Sequence, residues 1–135
     1  MAPYVYLDWA ATTPLCSEAA AAMAPYLVTG PENIQVNANA NSLHTPGRKA
    51  FTAMEDARMA FARLIGAKRP DEIIFTSGAT EADNLAVMGL VHAAVEAQRA
   101  KGNADFVPHV VTTAIEHDAI LNPCKELQHE GCQVT

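Results

Sequence analysis

The sequence predicts an α/β fold, with parallel strands joined by crossover helices. Three observations carry this. After Gly66, short β-prone apolar runs alternate with long helical periodicities in the order β-α-β-α-β. Each helical pattern there stops at a glycine: Gly66, then Gly102-Asn103, then Gly131. The chain has 135 residues, half of them apolar and 18% charged, which suits one folded core of ordinary size.

The elements follow in order. Residues 4–7 are apolar and β-prone and read as a strand or extended arm. Asp8-Trp9-Ala10-Ala11-Thr12-Thr13-Pro14 is a polar loop closed by proline. Ser17 is placed to cap a helix running to about Leu27, with Glu18 in its first turn. Residues 28–42, rich in Asn, Gly and Pro, form the one long irregular stretch. Thr45-Pro46 opens the next helix, with Thr45 as its cap and proline at the first helical position. Phe51, Met54, Ala57, Phe61, Leu64 and Ile65 keep helical spacing along it. Residues 71–75 form a strand, Ala79 to about Lys101 a helix, and residues 109–113 a second strand. A third helix runs from His117 to about Glu130, weakened or kinked by Pro123. A further strand begins at Cys132.

Composition removes several function classes. The net charge of −6, with no basic cluster, argues against a nucleic-acid or anionic-membrane surface. No apolar run is long enough to span a bilayer, and the first residues do not read as a signal peptide. Cys16, Cys124 and Cys132 lack CxxC spacing, so neither a disulfide framework nor a metal site is expected, and a reducing, cytoplasmic setting fits. Cys124 and Cys132 read as small buried residues. Cys16, at a helix start, is the one position where a lowered thiol pKa is conceivable.

Two polar clusters fall at strand-to-helix junctions. In Ile73-Ile74-Phe75-Thr76-Ser77-Gly78-Ala79-Thr80-Glu81, a helix start offers unpaired N–H groups and partial positive charge. Gly78 lets the chain turn and lets an anion approach closely, and Ser77 and Thr80 add hydroxyls. In an open α/β sheet this is the strand end at which ligands bind. Two readings stand side by side: a phosphate cradle at Ser77, Gly78, Ala79 and Thr80, or plain capping by Ser77 or Thr80. The turn is neither a P-loop nor a dinucleotide fingerprint. Thr112-Thr113-Ala114-Ile115-Glu116-His117 ends the next strand, where His117 either caps a helix or meets a ligand on the same rim. A third cluster, Asn37, Asn39, Asn41 and Ser42-Leu43-His44, reads as a turn-rich loop.

Four blocks in register resemble the cysteine desulfurases of the class V aminotransferase superfamily, which use pyridoxal 5′-phosphate. They are Tyr6-Leu7-Asp8-Trp9-Ala10-Ala11-Thr12-Thr13-Pro14, Asn41-Ser42-Leu43-His44-Thr45-Pro46-Gly47-Arg48, Ile74-Phe75-Thr76-Ser77-Gly78-Ala79-Thr80-Glu81-Ala82-Asp83-Asn84-Leu85-Ala86 and Glu116-His117-Asp118-Ala119-Ile120-Leu121. The resemblance implies part of a fold type I large domain, preceded by an N-terminal arm and helix. It divides the chain into an arm, helix and active-site loop (residues 1–44) and an incomplete α/β cofactor-binding domain (45–135). It also implies that Ala79 and Thr80 hold the cofactor phosphate and that His117 stacks on the pyridine ring and moves a proton. Ala11 and Thr12, with Asn41 and His44, fall near the substrate.

The sequence departs from the family at Trp9, at Cys16 in place of an aspartate cap, and at Ala38-Asn39-Ala40-Asn41. The family's Schiff-base lysine, its pyridinium aspartate and its sulfur-accepting cysteine have no match here. The chain therefore reads as the first third of a desulfurase, inactive alone, or else as a non-catalytic phosphate-binding remnant or interaction module. In the family sheet, later strands separate the equivalents of residues 71–75 and 109–113. Open sheet edges and exposed apolar surface are therefore expected, favouring a homo-oligomer or a complementing polypeptide.

Overall fold

The computed structural model describes residues 3–27 and 30–135; the Glu32 side chain lies outside that description. The chain divides into two compact units, Met1–Ile73 and Ile74–Thr135.

In the first unit, residues 3–8 join no sheet among the described residues, so of the two expected readings the strand is not realised. A turn follows, held by the Ala11 N–H donating to Asp8 O at 3.1 Å. Helix α1 spans Ser17–Met23 and tightens into a 3₁₀ turn, Ala24–Tyr26. Cys16, not Ser17, occupies the cap position and makes no side-chain cap bond; the Ser17 hydroxyl instead donates to Glu18 Oε2 at 2.9 Å. The expected irregular stretch contains a 3₁₀ turn, Pro31–Gln35, opened by Gly30 at φ 97°. Its positions 28 and 29 lie outside the described residues.

Helix α2 spans Thr45–Ile65 and stops at Gly66, whose φ of 74° is the left-handed conformation that glycine adopts most easily. Its cap is His44 rather than Thr45: the Gly47 N–H donates to His44 Nδ1 at 3.2 Å. Thr45 and Pro46 are already helical. A Cβ on Gly47 would sit 2.5 Å from Ser42 O and 2.8 Å from Asn39 O, so the loop before α2 folds against a residue with no side chain. The periodic stripe of α2 is open: Phe51, Phe61, Leu64 and Ile65 are exposed, and only Gly47 and Ala62 are buried.

The expected strand at 71–75 is replaced by a 3₁₀ turn, Pro70–Glu72, followed by residues 73–76 outside any helix or strand. Ile73 is extended, at φ −95° and ψ 119°, but among the described residues positions 71–75 join no sheet. Within the first unit, the Arg58 guanidinium donates to Ile73 O.

The second unit holds helix α3 (Ala79–Ala100), strand β1 (His109–Val110), helix α4 (Asp118–His129) and strand β2 (Gln133–Val134). β1 and β2 pair in parallel, His109 opposite Gln133 and Val110 opposite Val134. Backbone bonds from Thr112 N to Thr135 O and from Thr135 N to Val110 O extend the ladder. The parallel crossover architecture is thus present, with strands shorter than the sequence predicts. The core sits beneath α4, where Ala119, Cys124, Leu127 and, beside it, Cys132 are buried. Helix α3, by contrast, buries none of its 22 residues. Pro123 lies within α4 without ending it.

Candidate functional site

The start of α3 is open. Gly78 occupies the cap position, and no side chain closes the helix. The capping reading of Ser77 and Thr80 is therefore not realised, and the first-turn N–H groups that caps usually satisfy are left to another acceptor. Gly78 has φ 172° and ψ 176°, extended backbone that any residue adopts, so the expected need for glycine to make the turn is corrected. What distinguishes the position is space: a Cβ there would meet nothing within 4 Å. Thr76 Oγ1 donates to Gly78 O at 3.1 Å and steadies the approach to the helix.

Ser77 is engaged elsewhere. Its N–H and its hydroxyl both donate to Glu81 Oε2, at 2.7 and 2.6 Å. The Ser77 hydroxyl, then the Ser77 N–H, hold the Glu81 carboxyl below its ordinary pKa. The carboxylate also lies in the helix's first turn, where the macrodipole favours it.

α4 starts differently. The Ala119 N–H donates to His117 Nδ1 at 3.1 Å, so His117 caps its own helix. An accepting Nδ1 puts the hydrogen of the neutral ring on Nε2. The capping reading of this histidine is realised, and the ring is fixed in orientation by it.

Thr80 and His117, assigned from separate segments, line one cavity of about 530 Å³, together with Asn84, Asp118, Asn122 and Glu126. Two side chains, Asn84 in the cavity and Glu81 in the first turn of α3, escaped the sequence reading. Asn84 Nδ2 donates to Thr80 O at 2.8 Å and to Ala119 O at 3.4 Å. Glu81, four residues after Ser77, was readable as a carboxylate reaching back over one helical turn.

The substrate-proximal candidates belong to the first unit. Ala11 and Thr12 are exposed in the turn after Asp8. The Asn41 N–H donates to Asn39 Oδ1 at 2.9 Å, and His44 caps α2. Cys16 is exposed, whereas Cys124 and Cys132 are buried. Desolvation pushes the Cys132 thiol up, and its Sγ–H donates to Pro108 O at 3.2 Å.

Comparison with known proteins places this geometry. The Aminotransferase class-V family profile matches residues 5–135. The chain is 44% identical over 131 residues to the cysteine desulfurase IscS of Dictyoglomus turgidum, covering 97% of this chain and 29% of that protein. It is 45% identical over 134 residues to an IscS-like cysteine desulfurase of Mycobacterium tuberculosis, covering 96% and 30%. Among solved structures, SspA in complex with cysteine superposes with a TM-score of 0.72 at 35% identity, covering 96% of this chain and 33% of that one. A NifS-like protein superposes with a TM-score of 0.65 at 30% identity, covering 93% and 30%. The chain thus spans about 30% of the length of the relatives it matches. The architecture is part of a fold type I large domain of the pyridoxal-phosphate-dependent transferases. By a profile that runs through nearly its whole length, the chain belongs to the class-V aminotransferase family.

Proposed function

We propose that this chain supplies the phosphate grip and the ring-facing histidine of a cysteine desulfurase-type site, one that takes sulfur from L-cysteine and leaves L-alanine. The observation that carries the reading is the shared cavity of Thr80 and His117 beside an uncapped helix start. A phosphate there accepts from the free first-turn amides of Ala79 and Thr80 and from the Thr80 hydroxyl, and gains from the positive end of α3. The open space at Gly78, which a Cβ would occupy, fits close approach by such a group.

Pyridoxal 5′-phosphate, when bound, supplies an electron sink for bonds at the amino-acid α-carbon. This chain's residues do the rest of their share by position. Ala79 and Thr80 anchor the phosphate, and His117 presents the free edge of its ring, with Nε2 available to hold or pass a proton. The Ser77 donors join the cradle once Glu81 releases them. Ala11, Thr12, Asn41 and His44 form the substrate side of the same reading, in which residues 1–44 act as arm and loop and 45–135 as the cofactor-binding part. The Schiff-base lysine and the sulfur-accepting cysteine of the family come from sequence that this chain does not contain.

That division of labour calls for a complementing polypeptide, while exposed apolar surface would equally favour association with a second copy. The two-stranded sheet found among the described residues and the unburied α3 support it. Among the described residues no helix is long and apolar enough to cross a membrane. The three free cysteines suit a reducing compartment, and we place the protein in the cytoplasm.

The test is titration of the chain with pyridoxal 5′-phosphate and, separately, with inorganic phosphate, read by absorbance and equilibrium dialysis. Saturable binding of both, competing with each other, is expected. Gly78→Ala should weaken both about tenfold or more while leaving the circular dichroism spectrum unchanged, since the new methyl meets only the ligand. Equal binding by wild type and Gly78→Ala would overturn the assignment of the cradle.

A further inference from the structure

Pro123 leaves a gap in α4. It has no N–H, so the carbonyl four residues earlier, that of Ala119, loses its helical donor. Ala119 is buried, with 6% of its surface exposed, so water is a poor substitute. Asn84, on α3, fills the gap: its Nδ2 donates to Ala119 O at 3.4 Å. The other hydrogen of the same amide goes to Thr80 O at 2.8 Å. One side chain thereby joins the turn that carries Thr80 to the turn that carries His117, because the Ala119 N–H is the donor that His117 Nδ1 accepts.

We propose that Asn84 is a positioning residue, replacing the donor that Pro123 lacks and so holding the His117 cap in register with Thr80. Both hydrogens of its amide go to backbone carbonyls, and it acts through the backbone of Ala119, whose C=O it holds and whose N–H meets His117. The proposal rests on the cradle reading only for its functional meaning, since the linkage itself is a property of the second unit. A carboxylate at position 84 cannot donate, and an alanine has nothing to donate.

The experiment is hydrogen exchange by mass spectrometry on the full chain, following a peptide that covers residues 117–121. Ring ¹⁵N shifts of His117 report alongside whether Nδ1 still accepts. Asn84→Ala loosens the first turn of α4 by about one net hydrogen bond at the Ala119 carbonyl, so exchange of the Ala119 N–H should speed about fivefold and the Nδ1 resonance shift toward the free-imidazole value. Pro123→Ala alone should leave both signals within about twofold of wild type. The double variant, Asn84→Ala with Pro123→Ala, restores an N–H to Ala119 O within α4 and should return exchange and shift to near wild type. A purely packing role for Asn84 predicts no such rescue.

Exchange in Asn84→Ala equal to wild type, or a double variant as fast as Asn84→Ala, would overturn the proposal. Pyridoxal 5′-phosphate binding, measured on the same four proteins, should fall and recover in the same pattern. If the wild-type chain binds none, the cradle reading fails while the exchange data still decide the role of Asn84.

Discussion

Helices α3 and α4 begin alike in sequence and unlike in structure. Each follows an extended segment and a run of hydroxyl-bearing residues. α4 is closed by its own histidine, with the Ala119 N–H on His117 Nδ1, and buries four residues. α3 has no side-chain cap and buries none. The lesson is one of hydrogen-bond accounting. A helix start with a side-chain cap has one of its first-turn donors taken, whereas an uncapped start beside open space leaves those donors available. α2 belongs with α4, since His44 closes it in the same way.

The comparison breaks most easily at the glycines. Gly47→Ala drives a methyl into the Ser42 and Asn39 carbonyls, which are backbone and cannot step aside, and should cost about 3 kcal/mol. The same change at Gly78, in open space, should alter stability by no more than about 0.5 kcal/mol. Urea denaturation midpoints of the two variants check this; similar costs at both sites would remove the distinction between closed and open starts.

Next in size are the caps. His117→Ala and His44→Ala should each cost about 1 kcal/mol, as loss of a side-chain cap does, whereas Thr80→Ala at the open start should cost less than half of that. Thermal melts of the three variants rank them. The order sharpens the comparison if it holds and reverses it if Thr80→Ala proves the most damaging.

The smallest effect is the pH response of Glu81. Its folded-state pKa is lowered, by the Ser77 hydroxyl first and the Ser77 N–H second. A group of this kind stabilises the fold above its unfolded pKa, and the contribution is lost as pH falls through the lower folded value. Melting temperature should therefore drop below about pH 4, and Glu81→Gln should flatten part of that drop. The carboxylate is solvent-exposed, so salt should weaken the effect. Releasing the Ser77 donors also has a sign: Glu81→Gln should bind inorganic phosphate at least as tightly as wild type.

Much of this was legible in the residues. Gly66, Gly102 and Gly131 marked helix ends, and all three have positive φ. The helical spacing found α2, α3 and α4 to within a residue or two, because periodicity and stop signals are local. What escaped depended on partners far away in sequence. Residues 71–75 have strand chemistry, yet among the described residues they join no sheet. Phe61 and Leu64 have core chemistry and lie exposed. In the site, Thr80 and His117 could be read from their junctions. Asn84 could not, because its role depends on a proline 39 positions later. The His44 cap was missed for a simpler reason: hydroxyls dominate that position, and Thr45 stood where a hydroxyl was expected.

The parallel pairing of β1 with β2 carries a consequence for how the chain acquires its structure. His109 and Gln133 are 24 positions apart, with one helix between them. A loop of that span closes early, at modest entropic cost, compared with the long excursions that most parallel sheets require. During synthesis this strand–helix–strand unit can therefore assemble soon after it leaves the ribosome, ahead of anything that depends on more distant sequence.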